Sequence, residues 1–386
     1  MEKIKVLYDA QAFEFQTHGG VSRSFSELIT HFPTIIDPIL AIKESDNIYI
    51  KEYSLETTSP LYRTYDSFLN GVKFKGKGHL FNALSFFSFF HNSTKINRRA
   101  TLEILNSGDY DIFHPTFLDT YFLPYKMKNR PLVVTIHDLI TAKYPQYFKC
   151  TQLEAQKKLT DAATHIIAVS ENTKKDIIEI LNVPSSKVSV IYHGTPELDN
   201  SYLLGLGRPI GFEYFLYVGN RLRYKNFQYL LEQSSKILLD SGIKLVCTGY
   251  PFTPNEIDMI KRVGLEGSVV HRFASTNELF SLYKYAKAFI YPSSYEGFGM
   301  PILESFICGC PVILNKASCF PEIAGDAALY FDVNENNESL SCVLERFINL
   351  SVSQLSLLVN RGYERARKFT WEKSASELAN IYQSIL

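Results

Sequence analysis

The stretch Tyr291-Pro-Ser-Ser-Tyr-Glu-Gly-Phe-Gly-Met-Pro-Ile-Leu-Glu304 places a glycine-rich turn between two segments that have the character of regular secondary structure. The apolar run Ala288–Tyr291 leads into it and has the composition of a buried parallel strand. Gly297 and Gly299 allow a turn whose backbone amides can approach a ligand closely. Pro301 suits the first position of a helix, where its missing N–H costs nothing. The stretch therefore predicts a strand, a glycine turn and a helix N-terminus.

Two carboxylates flank this turn, Glu296 before it and Glu304 in what we expect to be the first turn of the helix. Backbone amides and the positive end of a helix dipole attract a phosphate or a developing anion. Carboxylates beside them can accept hydrogen bonds from sugar hydroxyls, so the combination indicates a nucleotide-sugar site. The alternative is a solvated loop residue and an ordinary helix acid, but the spacing, both glycines and Pro301 together favour a site.

The segment Glu296-Gly-Phe-Gly-Met-Pro-Ile-Leu-Glu304 closely resembles the Glu-x7-Glu signature of retaining family-4 glycosyltransferases, also called glycosyl transferases group 1. The chain is similar to bacterial surface-polysaccharide mannosyltransferases. The resemblance implies the GT-B fold, in which two doubly wound parallel-sheet, Rossmann-like domains face each other across a cleft. It also implies hexose transfer from a nucleotide-sugar to a hydroxyl with retention of anomeric configuration. Glu304 would then hold the ribose hydroxyls, and Glu296 with the amides of residues 297–300 would position the sugar ring.

Composition and charge are those of a globular chain without a general attraction to nucleic acid. The chain has 386 residues, more than one core usually serves, which predicts two domains. Hydrophobic residues make up 46% and charged residues 21%, a globular composition. The 40 basic side chains equal the 40 acidic ones, so no nucleic acid is expected as a partner.

The cysteines and the apolar stretches indicate a cytoplasmic protein. None of the six cysteines forms a Cys-x-x-Cys pair, and Cys308-Gly-Cys310 is too short for the usual zinc spacing. The N-terminus leads directly into a predicted strand without a signal peptide. The longest apolar stretch, residues 80–90, is too short and too polar to span a bilayer. Peripheral contact with the cytoplasmic face of the membrane stays open.

A second pair of glycines, Gly19 and Gly20, lies between a predicted strand, Ile4–Tyr8, and a segment of helical periodicity at residues 21–31. Amides at such a turn can face a ligand, although the residues alone fit a simple turn equally well. The run is similar to the family's N-terminal glycine loop, which lies near the donor diphosphate and the acceptor. The resemblance implies that Arg23 helps to hold an anion on the acceptor side.

Residues 43–105 have an irregular pattern in which tyrosines and phenylalanines alternate with lysines and arginines. Such a segment can rest on an anionic membrane surface. More often it is a helix packed into its own core with a solvated basic rim, and we favour that interpretation. The membrane alternative stays open because the family often uses lipid-linked acceptors.

Asp109 and Asp111 have the Asp-x-Asp spacing with which some glycosyltransferases bind a metal. We reject that role because the pair directly precedes a predicted strand at residues 112–114, and GT-B enzymes do not usually use such a motif. Basic side chains can balance the diphosphate instead. We therefore expect neither a metal nor any other cofactor.

The run Pro131-Leu-Val-Val-Thr-Ile-His137 predicts a buried strand with His137 at its carboxyl end. Ligands bind at the carboxyl ends of strands in open α/β sheets, so the position favours a functional histidine over the structural role that a lone histidine usually has. With Asp138 it forms a pair similar to the family's His-Asp. The resemblance implies that His137 contacts a sugar hydroxyl or stabilises positive charge through its carbonyl. Asp138 would orient the imidazole or cap the next segment.

Strands and helices alternate between residues 110 and 194, which predicts a parallel doubly wound sheet. We expect an acceptor-side domain at residues 1–196, a linker at 197–212 and a nucleotide-sugar-binding domain at 213–370. In the family a last helix, here residues 371–386, joins the N-terminal domain. The linker contains several glycines, but their spacing is wrong for a dinucleotide fingerprint, which disfavours an NAD-dependent dehydrogenase.

Arg221 and Lys225 lie on a glycine turn after a predicted strand at residues 213–218. Cations on such a turn can clamp a phosphate, and a solvated turn is the alternative. The run resembles the family's Arg…Lys-Asn element, which neutralises the departing nucleoside diphosphate, and Arg223 is a second candidate for the arginine. Arg272 follows a further predicted strand, where the family's backbone touches the nucleobase.

The resemblance thus implies three groups of site residues. The residues expected to act in catalysis are His137, Glu296, Arg221 and Lys225. The residues expected to bind the donor are Gly19, Gly20, Arg221, Lys225, Arg272, Gly297, Phe298, Gly299, Met300, Pro301 and Glu304. The residues expected on the acceptor side are Arg23 and Asp138.

The sequence leaves the exact reaction open. A nucleotide-sugar 2-epimerase can share this fold and would need no acceptor. A non-catalytic glycan- or lipid-binding partner of a synthase would have no need for an intact phosphate clamp and both glutamates. We favour mannose from GDP-mannose as the donor, with UDP-linked sugars as alternatives. The expected acceptor is a glycan or lipid-linked saccharide in the synthesis of a surface polysaccharide such as lipopolysaccharide.

Overall fold

The computed structural model describes residues 2–15, 17–55, 69, 72, 75–86, 92–125, 129–334 and 338–386. Part of the segment 43–105 that raised the question of membrane contact therefore lies outside the described residues. Among the described residues, no single helix is long and apolar enough to cross a membrane. Two helical stretches, Leu340–Ile348 and Val352–Ser384, reach that length and composition only as a pair bent by 116°.

The N-terminal half is built on two groups of three parallel strands. Their orders are β2-β1-β3 and β4-β5-β6, and a parallel bridge from Phe113 to Leu132 joins the two groups. The six strands are β1 Ile4–Tyr8, β2 Ile36–Leu40, β3 Ile112–Phe113, β4 Val133–Ile136, β5 His165–Ala168 and β6 Val188–Val190.

Helices alternate with these strands. Among the described residues of this half, the α-helices are α1 Gln11–Phe15, α2 Gly20–His31, α3 Ile48–Glu52, α4 Lys77–Phe86, α5 Ser93–Ser107, α6 Ile140–Lys143, α7 Leu153–Ala162 and α8 Glu171–Leu181. Within the segment 43–105, whose sequence pattern is irregular and for which we favoured a packed helix, α5 is a regular helix. It begins at the cap Asn92, whose side chain accepts from Lys95 N, and it ends at Gly108 with a φ of 77°.

The C-terminal half contains one continuous six-stranded parallel sheet. Its strand order is β12-β11-β10-β7-β8-β9, in which the order reverses between β7 and β10. The strands are β7 Tyr214–Tyr217, β8 Lys244–Cys247, β9 Val269–His271, β10 Ala288–Tyr291, β11 Val312–Asn315 and β12 Leu329–Phe331. This is the order of a doubly wound dinucleotide fold, and ligands of such sheets bind where the order reverses.

A short helix, α9 Asn200–Gly205, lies within the predicted linker and precedes this sheet. The helices that follow are α10 Phe227–Ser241, α11 Pro254–Arg262, α12 Thr276–Tyr285, α13 Met300–Ile307, α14 Phe320–Ala324, α15 Leu340–Ile348, α16 Val352–Ala366 and α17 Trp371–Ser384. Both faces of the sheet are covered. Along β7, Tyr214 and Leu216 pack into the core on one face, and Phe215 and Tyr217 pack into the core on the other.

The last helix, α17, packs into the core of the N-terminal half. Trp371 and Tyr382 are buried there, and the Tyr382 hydroxyl lies 2.6 Å from the Tyr8 hydroxyl and 2.6 Å from His114 Nδ1. A Cβ atom on Gly194 would lie 2.4 Å from Trp371 N, so the chain crosses itself closely at the end of the N-terminal half. The expected α/β architecture of two Rossmann-like domains is confirmed.

Candidate active site

The turns that follow β7 and β10 are held together where the strand order of the C-terminal sheet reverses. Ser294 N donates to the Tyr224 carbonyl over 2.8 Å. The Asn226 amide donates to the Pro292 carbonyl over 2.8 Å, and Asn226 has a φ of 52°, a conformation that asparagine tolerates. These bonds bring Lys225 of the first turn and Glu296 of the second turn to the same point.

Lys225 and Glu296 form an ion pair at this point. Lys225 is only 8% exposed, and its ammonium donates to the Glu296 carboxylate and, over 3.4 Å, to the Tyr291 hydroxyl. Burial raises the pKa of Tyr291 well above its usual value, and the nearby Glu296 carboxylate raises it further, so the phenol keeps its proton. A nearly buried pair that loses one partner leaves an uncompensated charge, which costs about 3–5 kcal/mol.

Arg221, predicted to clamp the donor phosphate, is turned toward the protein. Its Nε donates to Glu256 over 2.9 Å, and its Nη atoms donate to the carbonyls of Thr248 over 3.2 Å, of Pro251 over 3.0 Å and of Tyr250. The side chain is 3% exposed. A guanidinium has about five N–H donors, so these acceptors use most of them. In this arrangement Arg221 braces the turn against the loop after β8 and is not open to a phosphate.

The two predicted glycine turns meet across the cleft. Gly299 has a φ of 90°, which favours glycine, and it precedes α13, in which Met300 is the first residue and Pro301 the second. A Cβ atom on Gly20, the first residue of α2, would lie 2.7 Å from Met300 Cε. Gly19 just before it is extended. The N-termini of α2 and α13 therefore lie side by side.

Arg23 and Glu304 form the second ion pair of the site, and it joins the two halves. Arg23 Nη1 donates to Glu304 Oε1 over 2.9 Å, and the Tyr283 hydroxyl donates to Glu304 Oε2 over 3.3 Å. Glu304 is the fifth residue of α13, so it lies beyond the first helical turn, where we had placed it. Arg23, assigned to the acceptor side, thus directly contacts the carboxylate that we assigned to the ribose.

His137 follows β4 and brings its backbone against the glycine turn of the other half. A Cβ atom on Gly297 would lie only 1.9 Å from the His137 carbonyl oxygen, so no side chain fits there without a shift of the backbone. On its other side, the Gly297 carbonyl accepts from Ser170 Oγ over 2.6 Å and from Thr173 Oγ1 over 3.2 Å. Gly297 is therefore enclosed by the N-terminal half.

The imidazole of His137 is neutral. Burial lowers its pKa to about 4. Its Nε2 atom is buried and has no hydrogen-bond partner among the described residues. Among the described residues, Asp138 makes no hydrogen bond to this ring, and its Oδ1 instead accepts from Ile140 N over 2.9 Å at the start of α6. Of the two roles proposed for Asp138, the structure thus shows the cap.

Several residues that close the cleft were missed in the sequence. The Glu322 carboxylate accepts from Glu171 N over 2.6 Å and from Asn172 N over 3.3 Å, so it caps the N-terminus of α8 from the opposite half. The Tyr295 hydroxyl donates to Asp176 over 2.7 Å, again between halves. These partners are more than 100 residues apart in the chain, so no local pattern reveals them.

Phe298 and Arg272 occupy less direct positions. Phe298 is buried, and its ring centre lies 5.0 Å from that of His193, so only its backbone is available to a ligand. Arg272 is exposed at the end of β9, and its guanidinium donates to the Pro209 carbonyl over 3.4 Å. The structure therefore does not bring Arg272 to the ion pairs of the cleft.

The one group of potential metal ligands among the described residues adjoins Arg23, because Arg23, His31 and Glu197 line the same cavity. It consists of His31, Glu197 and Glu372, whose ligand atoms all lie within 4.8 Å of one another, and both glutamates are exposed. Asp109 and Asp111, the rejected metal motif, are paired with basic side chains. No predicted site residue belongs to the group, and the absence of a metal from the reaction stays a prediction.

The arrangement as a whole can hold an anion next to a sugar. Lys225 and the first amides of α13 provide positive charge where the strand order reverses. Glu296 and Glu304 provide hydrogen-bond acceptors on either side, and the His137 carbonyl faces the turn between them. Two Rossmann-like domains with this cleft have the architecture of the class of GT-B glycosyltransferases.

Comparisons with known proteins place the chain within this class. Residues 206–383 match the family model of glycosyl transferases group 1, and residues 65–197 match the model of glycosyltransferase family 4. The chain belongs to these glycosyltransferases and is an enzyme that transfers a hexose.

Two curated relatives and one solved structure illustrate the similarity. The O-antigen chain mannosyltransferase B of Escherichia coli is 26% identical over 308 residues, which cover 74% of this chain and 77% of that protein. The O-antigen chain mannosyltransferase RfbU of Salmonella typhimurium strain LT2 is 30% identical over 234 residues, which cover 57% and 64%. The fold is similar to that of Anabaena HepE in complex with UDP and glucose, with a TM-score of 0.70, 16% identity and coverage of 99% and 100%.

Proposed function

We propose that this enzyme transfers mannose from GDP-mannose to a hydroxyl of a glycan or lipid-linked saccharide, with retention of the anomeric configuration. The observation that carries the proposal is the Lys225–Glu296 ion pair beside the first turn of α13, directly opposite the His137 backbone. The curated relatives named as O-antigen mannosyltransferases support mannose as the sugar. The reaction would take place in the cytoplasm, and contact with the membrane surface would depend on the acceptor.

The reaction separates charge at one bond of the donor. The bond between the anomeric carbon and the diphosphate oxygen breaks, and a bond from the acceptor oxygen forms on the same face of the sugar. The acceptor proton moves to an oxygen of the departing diphosphate. Lys225 and the amides at the start of α13 stabilise the diphosphate, so neither a metal nor another cofactor is required. The His137 carbonyl lies where positive charge develops on the sugar.

Lys225 acts more directly than Arg221 in this scheme. The Lys225 ammonium has three N–H donors, of which Glu296 and Tyr291 engage two, so it can turn toward a phosphate. Arg221 fixes the turn through Glu256 and three backbone carbonyls. Arg223, which is exposed on the same turn, is the arginine that can reach the outer phosphate oxygens.

Glu304 can bind the donor ribose without releasing Arg23. A carboxylate offers about four lone-pair positions, and the Arg23 and Tyr283 donors occupy two of them. Ribose hydroxyls would take the others. Arg23 then couples donor binding to the N-terminal half, because it fixes the carboxylate from across the cleft.

A thermal-shift panel with GDP, UDP, ADP and their common sugar conjugates tests the proposal. A ligand that binds only the folded state raises the melting temperature by mass action, by about 2.7 kcal/mol of stabilisation at a concentration of 100 times its Kd. We expect a rise with GDP and GDP-mannose that EDTA does not change. A rise in melting temperature with UDP compounds instead would replace GDP-mannose as the proposed donor. A rise that EDTA abolishes would contradict the metal-free scheme. No response at millimolar ligand would contradict the transferase.

The stereochemical outcome needs a product measurement. Proton NMR of the glycoside formed from GDP-α-mannose should show an α-linkage. A β-linkage would contradict retention. If chromatography instead showed a second, isomeric nucleotide-sugar formed in the absence of any acceptor, the reaction would be 2-epimerisation.

A further inference from the structure

Two cavities in the N-terminal half adjoin at a pair of stacked phenylalanines. The inner cavity, of about 350 Å³, is lined by His137 and Asp138 of the reaction centre. The outer cavity, of about 300 Å³, lies beyond it. Both are lined by Phe15 and Phe117, whose ring centres are 4.7 Å apart at an angle of 27°. We call the two cavities together the N-terminal groove.

The outer cavity lies where the strand order of the N-terminal sheet reverses. The chain passes from β1 to β2 on one side and then returns to β3 on the other side, so the segments after β1 and β3 diverge there. Asp9, after β1, accepts from Thr116 N and from Thr116 Oγ1, each over 2.9 Å, and joins the two segments. A reversal of this kind is where doubly wound sheets bind ligands, and the site already described uses only the corresponding position of the C-terminal sheet.

Polar side chains with fixed orientations line the outer cavity. Asp119 N donates to Gln11 Oε1 over 2.7 Å, and the Asn97 amide donates to Glu14 Oε1 over 2.5 Å. Arg98 pairs with the Asp119 carboxylate and lies over the Tyr121 ring. Hydroxyl, amide and carboxylate oxygens retain further lone pairs when one of them is engaged. The wall is thus preorganised for a ligand that donates and accepts hydrogen bonds.

The groove carries little net charge. Arg98 and Asp119 neutralise each other, and burial raises the pKa of Glu14 to about 7, so this carboxyl is partly protonated near neutral pH. A phosphate in the outer cavity would meet the Glu14 and Asp119 carboxyl groups, with Arg98 as the nearby cation. Such surroundings do not favour an anionic ligand. A neutral ligand with many hydroxyls fits the wall, and the exposed Phe15 ring fits its apolar face.

We propose that the N-terminal groove binds the acceptor as a neutral oligosaccharide of at least two sugar units. The sugar that receives the hexose lies in the inner cavity at His137 and Asp138. Its neighbour lies on Phe15 and Phe117 and extends into the outer cavity. The assignment of the inner unit rests on the proposed transfer function, whereas saccharide binding by the outer cavity stands on the groove itself. Phe15 and Arg98 thereby determine acceptor specificity.

Saturation-transfer NMR on the full chain tests this groove. The probes are methyl α-mannoside, α-1,3-mannobiose, N,N′-diacetylchitobiose and n-octyl α-mannoside. At least one disaccharide should bind about tenfold more tightly than the methyl glycoside, since each added unit fills one more cavity. If neither disaccharide binds more tightly than methyl α-mannoside, the groove holds no second sugar and the proposal is overturned.

Two variants and one control separate a sugar from an apolar chain. Phe15 is 61% exposed and Arg98 is exposed as well, so Phe15→Ala and Arg98→Gln should fold, which their melting temperatures check. Both should weaken disaccharide binding, Phe15→Ala by about tenfold and Arg98→Gln by several-fold. Tyr125→Ala, an exposed ring of the same half that lines neither cavity, should bind as the wild type does.

The contrary outcomes are distinct. Disaccharide binding that survives Phe15→Ala would overturn the proposal. The proposal would also be overturned if n-octyl α-mannoside bound more tightly than methyl α-mannoside and this gain in affinity were lost in Phe15→Ala but not in Arg98→Gln. The groove would then hold a lipid. The nucleotide panel on the wild type is independent of these results. If no nucleotide raised the melting temperature, the proposed transfer function would be contradicted. Saccharide binding by the groove would still be measured separately.

Discussion

On the C-terminal side of the cleft, Lys225 and Glu296 form an ion pair beside the first turn of α13, whereas the N-terminal side presents a buried group of neutral imidazoles. Burial lowers the pKa of His114 to about 3, of His137 to about 4 and of His193 to about 3. Apart from Arg23, whose charge is paired with Glu304, the N-terminal side thus presents neutral rings where the C-terminal side presents an ion pair. In the proposed reaction, charge is needed where the diphosphate departs, and a neutral wall suits the sugar and the acceptor.

The two sides also differ in how they are joined. The C-terminal sheet has six continuous strands, and its ion pair lies within one domain. The N-terminal side is completed by elements from elsewhere, because α17 supplies part of its core and the Glu322 carboxylate caps α8. The N-terminal side of the cleft is therefore held in place by contacts from the C-terminal half of the chain.

Removal of the charge on the C-terminal side should have the largest effect on transfer. Lys225→Met keeps the length of the stem but leaves Glu296 unpaired and removes a donor to the diphosphate. We expect kcat to fall by about 10²- to 10³-fold, the usual result of removing one group that stabilises transition-state charge. Steady-state kinetics with GDP-mannose measures this. Arg223→Met gives the comparison on the same turn: because Arg223 reaches only the outer phosphate oxygens, we expect a smaller loss of kcat. A larger loss than in Lys225→Met would transfer the main role to Arg223.

The backbone contact between Gly297 and the His137 carbonyl joins the two sides, and one added methyl group should break it. In Gly297→Ala the new Cβ would lie 1.9 Å from the His137 carbonyl oxygen, so the glycine turn or β4 must move. A misplacement of about 1 Å costs about 10²-fold in rate. Gly20→Ala meets only the flexible end of Met300 and should lose a few-fold at most. Equal rates for the two variants would show that this backbone contact does not position the reacting groups.

Arg221 and Lys225 have different partners, and the sequence could not predict this difference. Both are cations on one glycine turn, and local pattern cannot tell them apart. Arg221 is captured by Glu256, which is 35 residues away on α11, whereas Lys225 meets Glu296 of the glycine turn after β10. Strands such as β10 could be predicted, because their residues are apolar on both faces. The Arg23–Glu304 pair, which joins residues 281 positions apart, could not.

The N-terminal half shows the same limit. For residues 43–105 we favoured a packed helix, and α5 is one, but the sequence pattern did not reveal that its Asn97 and Arg98 line a cavity. The buried face of α5 includes Ser93, Asn97 and Thr101, so polarity alone does not mark it. The cavity itself arises from the reversal of strand order between β1 and β3, which depends on pairing between distant segments. The glycine turns were predicted because each is encoded within a few residues.

Arg221→Met should separate a structural cation from a catalytic one. The substitution leaves the Glu256 carboxylate and three carbonyls without their donor, so the free energy of unfolding should fall by about 2–3 kcal/mol. Because the turn itself persists, kcat should fall less than about tenfold. Urea denaturation and steady-state kinetics on the same preparation provide both numbers. A large loss of kcat with unchanged stability would restore Arg221 as a phosphate ligand.

The smallest effect concerns the neutral imidazoles and appears in the pH dependence of stability. Because the folded-state pKa of His193 is lowered to about 3, the unfolded chain takes up a proton below pH 6.5 while the folded chain does not. The stabilisation by this neutral ring is present above pH 6.5 and is lost as the pH falls. His193→Phe should therefore reduce the slope of unfolding free energy against pH by up to about 1.4 kcal/mol per unit below pH 6. Trp371→Phe, which alters the ring packed against His193, should shift the whole curve and keep its slope. An unchanged slope in His193→Phe would mean that this imidazole is charged in the folded protein, and the contrast in charge between the two sides of the cleft would then fail at His193.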